Sequence, residues 1–168
     1  MEALEVIAVT DTLDAAGIRT GMTGGWGIDA LLRRQTRPHG DVDLGLEAAD
    51  VDEAIRALAA LGYMVVLDER PARLVLQADR GRVDLHPIVW DRYGRGVQTG
   101  LDGDAFVYPP GSLDAGGEIA GRPVRCATPE LQLTFHEHYD PRAQDRQDMS
   151  ALAEAFDLRL PAAYADPP

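Results

Sequence analysis

The chain has 168 residues, 45% of them hydrophobic and 26% charged, which suits one domain around a single core and leaves little room for a second. Sixteen basic residues against 28 acidic ones give a net charge of -12, which argues against a nucleic-acid or anionic-membrane surface and favours small or cationic partners. Every basic residue is Arg, so a Walker-type phosphate loop, a Schiff-base lysine and a lysine general base are excluded.

The predicted elements follow in chain order. Val6, Val9, Leu13 and Ala16 recur at helical spacing over residues 3–16, with Gly17 as the stop. One short strand fits 18–23. Gly24-Gly25 then turns into a helix over 26–34, carried by Ile28, Leu31 and Leu32. Residues 41–46 alternate acidic and apolar side chains, as a half-buried strand does. Asp50 and Glu53 have the spacing of a capping box in front of Val51, Ile55 and Leu58, which predicts a second amphipathic helix.

Extended runs at 63–67, 73–78 and 82–90 predict sequential, antiparallel strands. From 91 to 121 the chain is dense in Gly, Pro and Asp and reads as loop, with apolar islands near Phe106–Tyr108 and at Ile119. Thr128-Pro129 opens a helix, and Asp140-Pro141 opens another through Met149, Leu152, Ala153 and Phe156. Together these elements predict an α/β or α+β domain over residues 1–160, with 161–168 as a loose tail. The single Cys126 suits a reducing cytoplasm and reads as an inert buried thiol. Neither a signal peptide nor a membrane-spanning run is evident, which predicts a cytoplasmic protein.

The chemistry concentrates in two segments, Gly24-Gly25-Trp26-Gly27-Ile28-Asp29 and Arg37-Pro38-His39-Gly40-Asp41-Val42-Asp43-Leu44. A glycine pair at a helix start lets backbone amides approach phosphate oxygens. Asp41 and Asp43, two apart on a strand, share a face and repel unless a cation lies between them. Mg²⁺ is the natural choice, because it takes one or two carboxylates together with substrate phosphates. Asp84, a lone acid in the apolar run Val83-Asp84-Leu85-His86, joins them if its strand is a neighbour. Arg33, Arg34, Arg37 and His39 form the densest cationic stretch, suited to a triphosphate or departing pyrophosphate.

Other readings compete. Gly25-Trp26-Gly27 with Ala30 fits a loose dinucleotide fingerprint, but a ribose-binding acid explains one carboxylate there and not two on one face. His136 and His138 lie two apart on a helix, face different ways, and read as packing or surface histidines rather than a metal pair. Arg142, Asp145, Arg146 and Asp148 read as the solvated face of the last helix.

On these residues the chain resembles the nucleotidyltransferase superfamily, whose motif is a glycine pair followed by hydrophobic-Asp-hydrophobic-Asp. It looks most like the small lincosamide nucleotidyltransferases and, more loosely, the aminoglycoside 2''-nucleotidyltransferases. The likeness runs from Met22 to Phe156 and includes Val83-Asp84-Leu85-His86-Pro87-Ile88, Gly121-Arg122-Pro123-Val124-Arg125-Cys126 and Phe135-His136-x-x-Tyr139, with Asp145 and Asp148 beyond. It implies a mixed, mostly antiparallel sheet with flanking helices. It also implies Mg²⁺ on Asp41, Asp43 and Asp84, and ATP as co-substrate over Gly24 and Gly25 with Arg34, Arg37 and His39. Asp84 would be the general base on an antibiotic hydroxyl, and His86 and Tyr139 would contact the acceptor. AMP transfer to a lincosamide with release of pyrophosphate is the implied reaction; an aminoglycoside acceptor, a protein partner, or a binding module without catalysis are the alternatives. Arg34 stands where close relatives often carry Lys. Small relatives can dimerise, so a homodimer stays open, with no nucleic acid and no membrane as partner.

Overall fold

The computed structural model describes residues 1–137 and 140–164. Among these residues, five α-helices, α1 (Ala3–Ala15), α2 (Gly24–Leu32), α3 (Val51–Ala59), α4 (Pro129–Phe135) and α5 (Ala143–Phe156), accompany nine strands. The strands are β1 (Thr20–Thr23), β2 (Asp41–Glu47), β3 (Met64–Glu69), β4 (Arg73–Ala78), β5 (Gly81–Trp90), β6 (Gly96–Thr99), β7 (Ala105–Tyr108), β8 (Ala115–Ile119) and β9 (Arg122–Cys126). They form one sheet in the order β3-β4-β5-β2-β1-β9-β8, and the β6–β7 hairpin extends from the end of β5. Among the described residues, β2 with β5 and β1 with β9 pair in parallel and the rest antiparallel, so the sheet is mixed and mostly antiparallel, as expected.

Alternation along β2 builds the core and the site at once. Val42, Leu44 and Leu46 are buried on one face with Val83 and Leu85 of β5, Leu74 and Leu76 of β4, and Val6, Val9 and Leu13 of α1. The opposite face carries Asp41, Asp43 and Gly45. Burial of these branched side chains supplies about 1.5–3 kcal/mol each, so the register of β2 is fixed by its apolar face and the acids are fixed with it. A second, smaller cluster joins Ile88, Tyr108, Leu113, Ala127 and Leu131.

Four expectations need correction. The segment 91–121 is not mainly loop: it holds β6, β7 and β8, whose pairing with one another and with β5 and β9 supplies what four- and five-residue runs lack alone. The capping box at Asp50 does not form, because Asp50 ends a 3₁₀ turn with helical backbone angles while Glu53 pairs with Arg56. Helix α5 begins after Asp140-Pro141, where the Asp145 carboxylate accepts from the Arg142 backbone N–H at 2.9 Å. The expected tail is in part packed, since Tyr164 is buried and its hydroxyl donates to His136 O at 3.0 Å. Cys126 is fully buried, and burial pushes its thiol up to about 12, which keeps it inert. Among the described residues, no helix is long and apolar enough to cross a membrane.

Candidate active site

Strand pairing brings the acids together. In the parallel ladder between β2 and β5, Asp43 stands opposite Asp84 and Gly45 opposite His86, so Asp43, Asp84 and His86 project from one face. One ligand atom from each lies within 4.8 Å of the others. Asp41 is at the exposed start of β2, two residues away on the same face, and adds its charge to that around Asp84. The tightest group therefore includes His86 in the place where Asp41 was expected.

Asp84 is buried, and its Oδ1 has no hydrogen-bond partner. Its Oδ2 lies 3.6 Å from Arg73 Nη1. Burial is the main reason its pKa is raised above the ordinary 3.8, reinforced by Asp43 and Asp41 and opposed by His86 and Arg73. For His86, burial opposes the charged form, yet its hydrogen bond to Asp43 and the charges of Asp43 and Asp84 outweigh it and raise its pKa. An orphaned carboxylate oxygen beside a second carboxylate is a site with a cation's chemistry, and hard oxygen donors of this kind fit Mg²⁺.

The glycine turn meets these acids directly. Gly24 has φ of +60°, and a side chain there would collide with Asp43 Oδ2. At Gly25 a side chain would collide with His39 Nδ1 and lie 2.8 Å from Arg37 Nη2. The pair opens helix α2 immediately at Gly24, two residues before the predicted start, so the first turn of the helix, where backbone amides lack intrahelical partners, lines the cleft. Gly24→Ala is expected to destabilise the fold by about 1–2 kcal/mol through left-handed strain and to displace Asp43. Thermal melting and Mg²⁺ titration calorimetry check this, and a variant with unchanged Mg²⁺ affinity would contradict it.

The predicted cations have different fates. His39 is buried against Trp26, ring centroids 4.8 Å apart, and its Nε2 lies 2.5 Å from Asp29 Oδ2. Asp29 also accepts from the Thr36 hydroxyl at 2.6 Å and the Thr36 N–H at 3.1 Å, so it organises the whole turn between α2 and β2. Arg37 does line the cleft, but its Nε and Nη2 donate to Asp148 at 3.0 and 2.6 Å. The hydrogen bonds to Asp148 are the main reason the Arg37 pKa is raised. Arg34 is exposed in a separate groove with Trp26, Gln35 and Glu118, away from Asp41 and Asp43. Tyr139 and His138 lie outside the described residues.

Sequence reasoning missed much of the cleft, a cavity of about 450 Å³ that holds Gly24, Gly25, Arg37, His39, Asp41, Asp43 and His86. Gln98, Phe106 and Tyr108 enter it from the β6–β7 hairpin, and Asp145 and Asp148 enter it from α5. The last two were expected in solvent, but both are only 2% exposed: Asp145 binds Arg142 and Asp148 binds Arg37. His136 packs inward as expected, its Nδ1 2.7 Å from Gln132 O. The short apolar run Phe106-Val107-Tyr108 was the signal in the sequence that could have pointed to the hairpin.

Comparison with known proteins places this geometry in context. The profile of the aminoglycoside-2''-adenylyltransferase family matches residues 5–152. The chain is 28% identical over 149 residues to a lincosamide resistance protein of Staphylococcus haemolyticus, covering 88% of this chain and 92% of that protein. It is 30% identical over 144 residues to a 2''-aminoglycoside nucleotidyltransferase of Escherichia coli, covering 83% and 76%. Among solved structures, it resembles the lincomycin-bound lincosamide antibiotic adenylyltransferase LnuA with a TM-score of 0.78 and 28% identity, covering 88% of this chain and 94% of that one.

Proposed function

Because this chain belongs to the aminoglycoside-2''-adenylyltransferase family of antibiotic nucleotidyltransferases, we propose that it transfers AMP from ATP to a hydroxyl of a lincosamide and releases pyrophosphate. The observation that carries the chemistry is the register of Asp43 against Asp84 beside Gly24, with a buried, unpartnered carboxylate oxygen on Asp84. The substrate reading draws on the extent of likeness to the lincosamide resistance protein and to the lincomycin-bound structure.

Asp41, Asp43 and Asp84 would hold Mg²⁺, which when bound offsets phosphate charge. The rest of the work belongs to the chain. Amides at the start of α2 would receive phosphate oxygens above Gly24 and Gly25. The acceptor hydroxyl would give its proton to Asp84 as its oxygen bonds to the α-phosphorus and the bond to pyrophosphate breaks. Burial that raises the Asp84 pKa makes it a better proton acceptor than an exposed carboxylate. His39 and Arg37 would hold the turn at Gly25 in place, with His39 Nδ1 and Arg37 Nη2 packed against it.

Arg73 stands 3.6 Å from Asp84 but is already ion-paired with Glu69 at 2.8 Å, and the cleft is lined by Asp41, Asp43, Asp145 and Asp148, so charge alone does not separate the two drug classes and the assay must. Purified protein incubated with ATP and Mg²⁺ should yield adenylylated lincomycin and pyrophosphate, with little product from tobramycin. Product from tobramycin alone would reverse the substrate assignment, and product from neither would remove it. Such a reaction belongs in the cytoplasm, where ATP is available.

A further inference from the structure

We infer that Tyr108 and Gln98 hold His86 as a hydrogen-bond donor to Asp43, which makes His86 a positioning residue for the metal-binding carboxylate and not a third ligand. The inference rests on the reading of Asp43 as a Mg²⁺ ligand. Distance alone groups His86 with the two acids. Donor and acceptor inventory separates it from them.

Ala72 O, a backbone carbonyl, only accepts, and the buried Gln98 amide reaches it at 3.0 Å. The amide atom facing Ala72 is therefore Nε2. Oε1 then faces Tyr108, whose hydroxyl donates to it at 2.5 Å. Burial, and secondarily the charge of Asp43, raise the Tyr108 pKa, so the hydroxyl keeps its hydrogen. The second hydrogen of Gln98 Nε2 points at His86 Nδ1, 3.1 Å away, so Nδ1 accepts. The ring hydrogen accordingly sits on Nε2, 3.3 Å from Asp43 Oδ1.

A nitrogen that carries a hydrogen has no lone pair for a cation. Gln98 selects this neutral tautomer, since an imidazolium would carry a hydrogen on Nδ1 as well and could not accept from the amide. Asp43 is then pinned at both ends: Oδ1 receives His86, and Oδ2 lies against Gly24. Its carboxylate is preorganised before any ion arrives, an arrangement in which outer partners orient a ligand. The hairpin β6–β7 thereby acts on the metal site without touching it.

The test reads the ring directly. Nitrogen-15 NMR of histidine-labelled, metal-free protein should show His86 with its hydrogen on Nε2, and added Mg²⁺ should leave that hydrogen in place. Gln98→Leu should lose the fixed tautomer and weaken Mg²⁺ binding about 10–100-fold. His86→Asn, which keeps an N–H donor, should retain Mg²⁺ affinity better than His86→Leu by at least about tenfold. A bare Nε2 in the metal-free protein, or loss of its hydrogen on adding Mg²⁺, would overturn the inference; so would equal Mg²⁺ affinity in the two His86 variants. Protein that binds no Mg²⁺ but keeps the Nε2 hydrogen would refute the metal reading while supporting the donor role of His86.

Discussion

Replacing Asp84 with Asn should leave the enzyme more stable and almost inactive. Turnover should fall about 10²–10⁴-fold, the range for loss of a general base, while metal-free protein at pH 7 should gain about 1 kcal/mol, or roughly 2–4 °C in Tm. The gain follows from the site's geometry: a buried carboxylate with an unpartnered oxygen faces Asp43 across the ladder. Asp84 has a folded pKa above 3.8, so the fold prefers its neutral form. Its favourable contribution is complete below the unfolded pKa and is lost as pH rises through the folded one. The stability advantage of the variant should therefore be present at neutral pH and shrink on acidification. Activity runs oppositely, rising as Asp84 deprotonates. Mg²⁺ should stabilise the native protein and leave the variant nearly unchanged. Denaturant titrations at two pH values, with and without Mg²⁺, measure all of this; an Asn variant that is less stable at pH 7 would show that Asp84 is a structural ion-pair partner of Arg73 instead.

Replacing Asp148 with Ala should have the largest effect on folding. Asp148 is 2% exposed and takes three hydrogen bonds from Arg37, which joins α5 to the turn before β2 across 111 residues of chain. Removing one partner of a buried pair leaves the other charge uncompensated, a loss of about 3 kcal/mol and so roughly 6–12 °C in Tm. The Arg37 side chain is partly exposed, which holds the value to the low end of the range. The paired replacement Arg37→Met with Asp148→Leu should recover most of the stability, since two apolar side chains can fill the space. It should not recover turnover, because the guanidinium beside Gly25 is gone. Melting curves of the three variants decide the matter: equal stability of Asp148→Ala and the native protein would mean that α5 docks without this pair.

Much of the site could be read before folding was considered. The glycine pair, the Asp41-x-Asp43 alternation and the lone acid at Asp84 are local patterns, and each is set by spacing alone. Strand alternation assigned the acids to one face because Val42, Leu44, Val83 and Leu85 had to go to the other. Fates set by distant partners were not legible. Asp145 and Asp148 carry the charge pattern of a solvated helix face, and only the approach of Arg37 from the other end of the chain buries Asp148. Arg34 sits beside Arg33 and three residues before Arg37, but the left-handed end of α2 at Arg33 turns the chain, and Arg34 faces another groove. Gln98 and Tyr108 lie in a segment rich in Gly, Pro and Asp whose strands exist only through pairing.

The amino-acid order by itself determined the class of fold, the glycine corner and which acids could meet, because periodicity of two or of 3.6 residues is a property of neighbours along the chain. The tertiary structure alone decided that β2 lies parallel to β5 with Asp43 level with Asp84, and that a hairpin from the apparent loop region reaches His86. Parallel pairing joins strands that are far apart in sequence, and its register is chosen by how both apolar faces pack into one core, which no local pattern encodes.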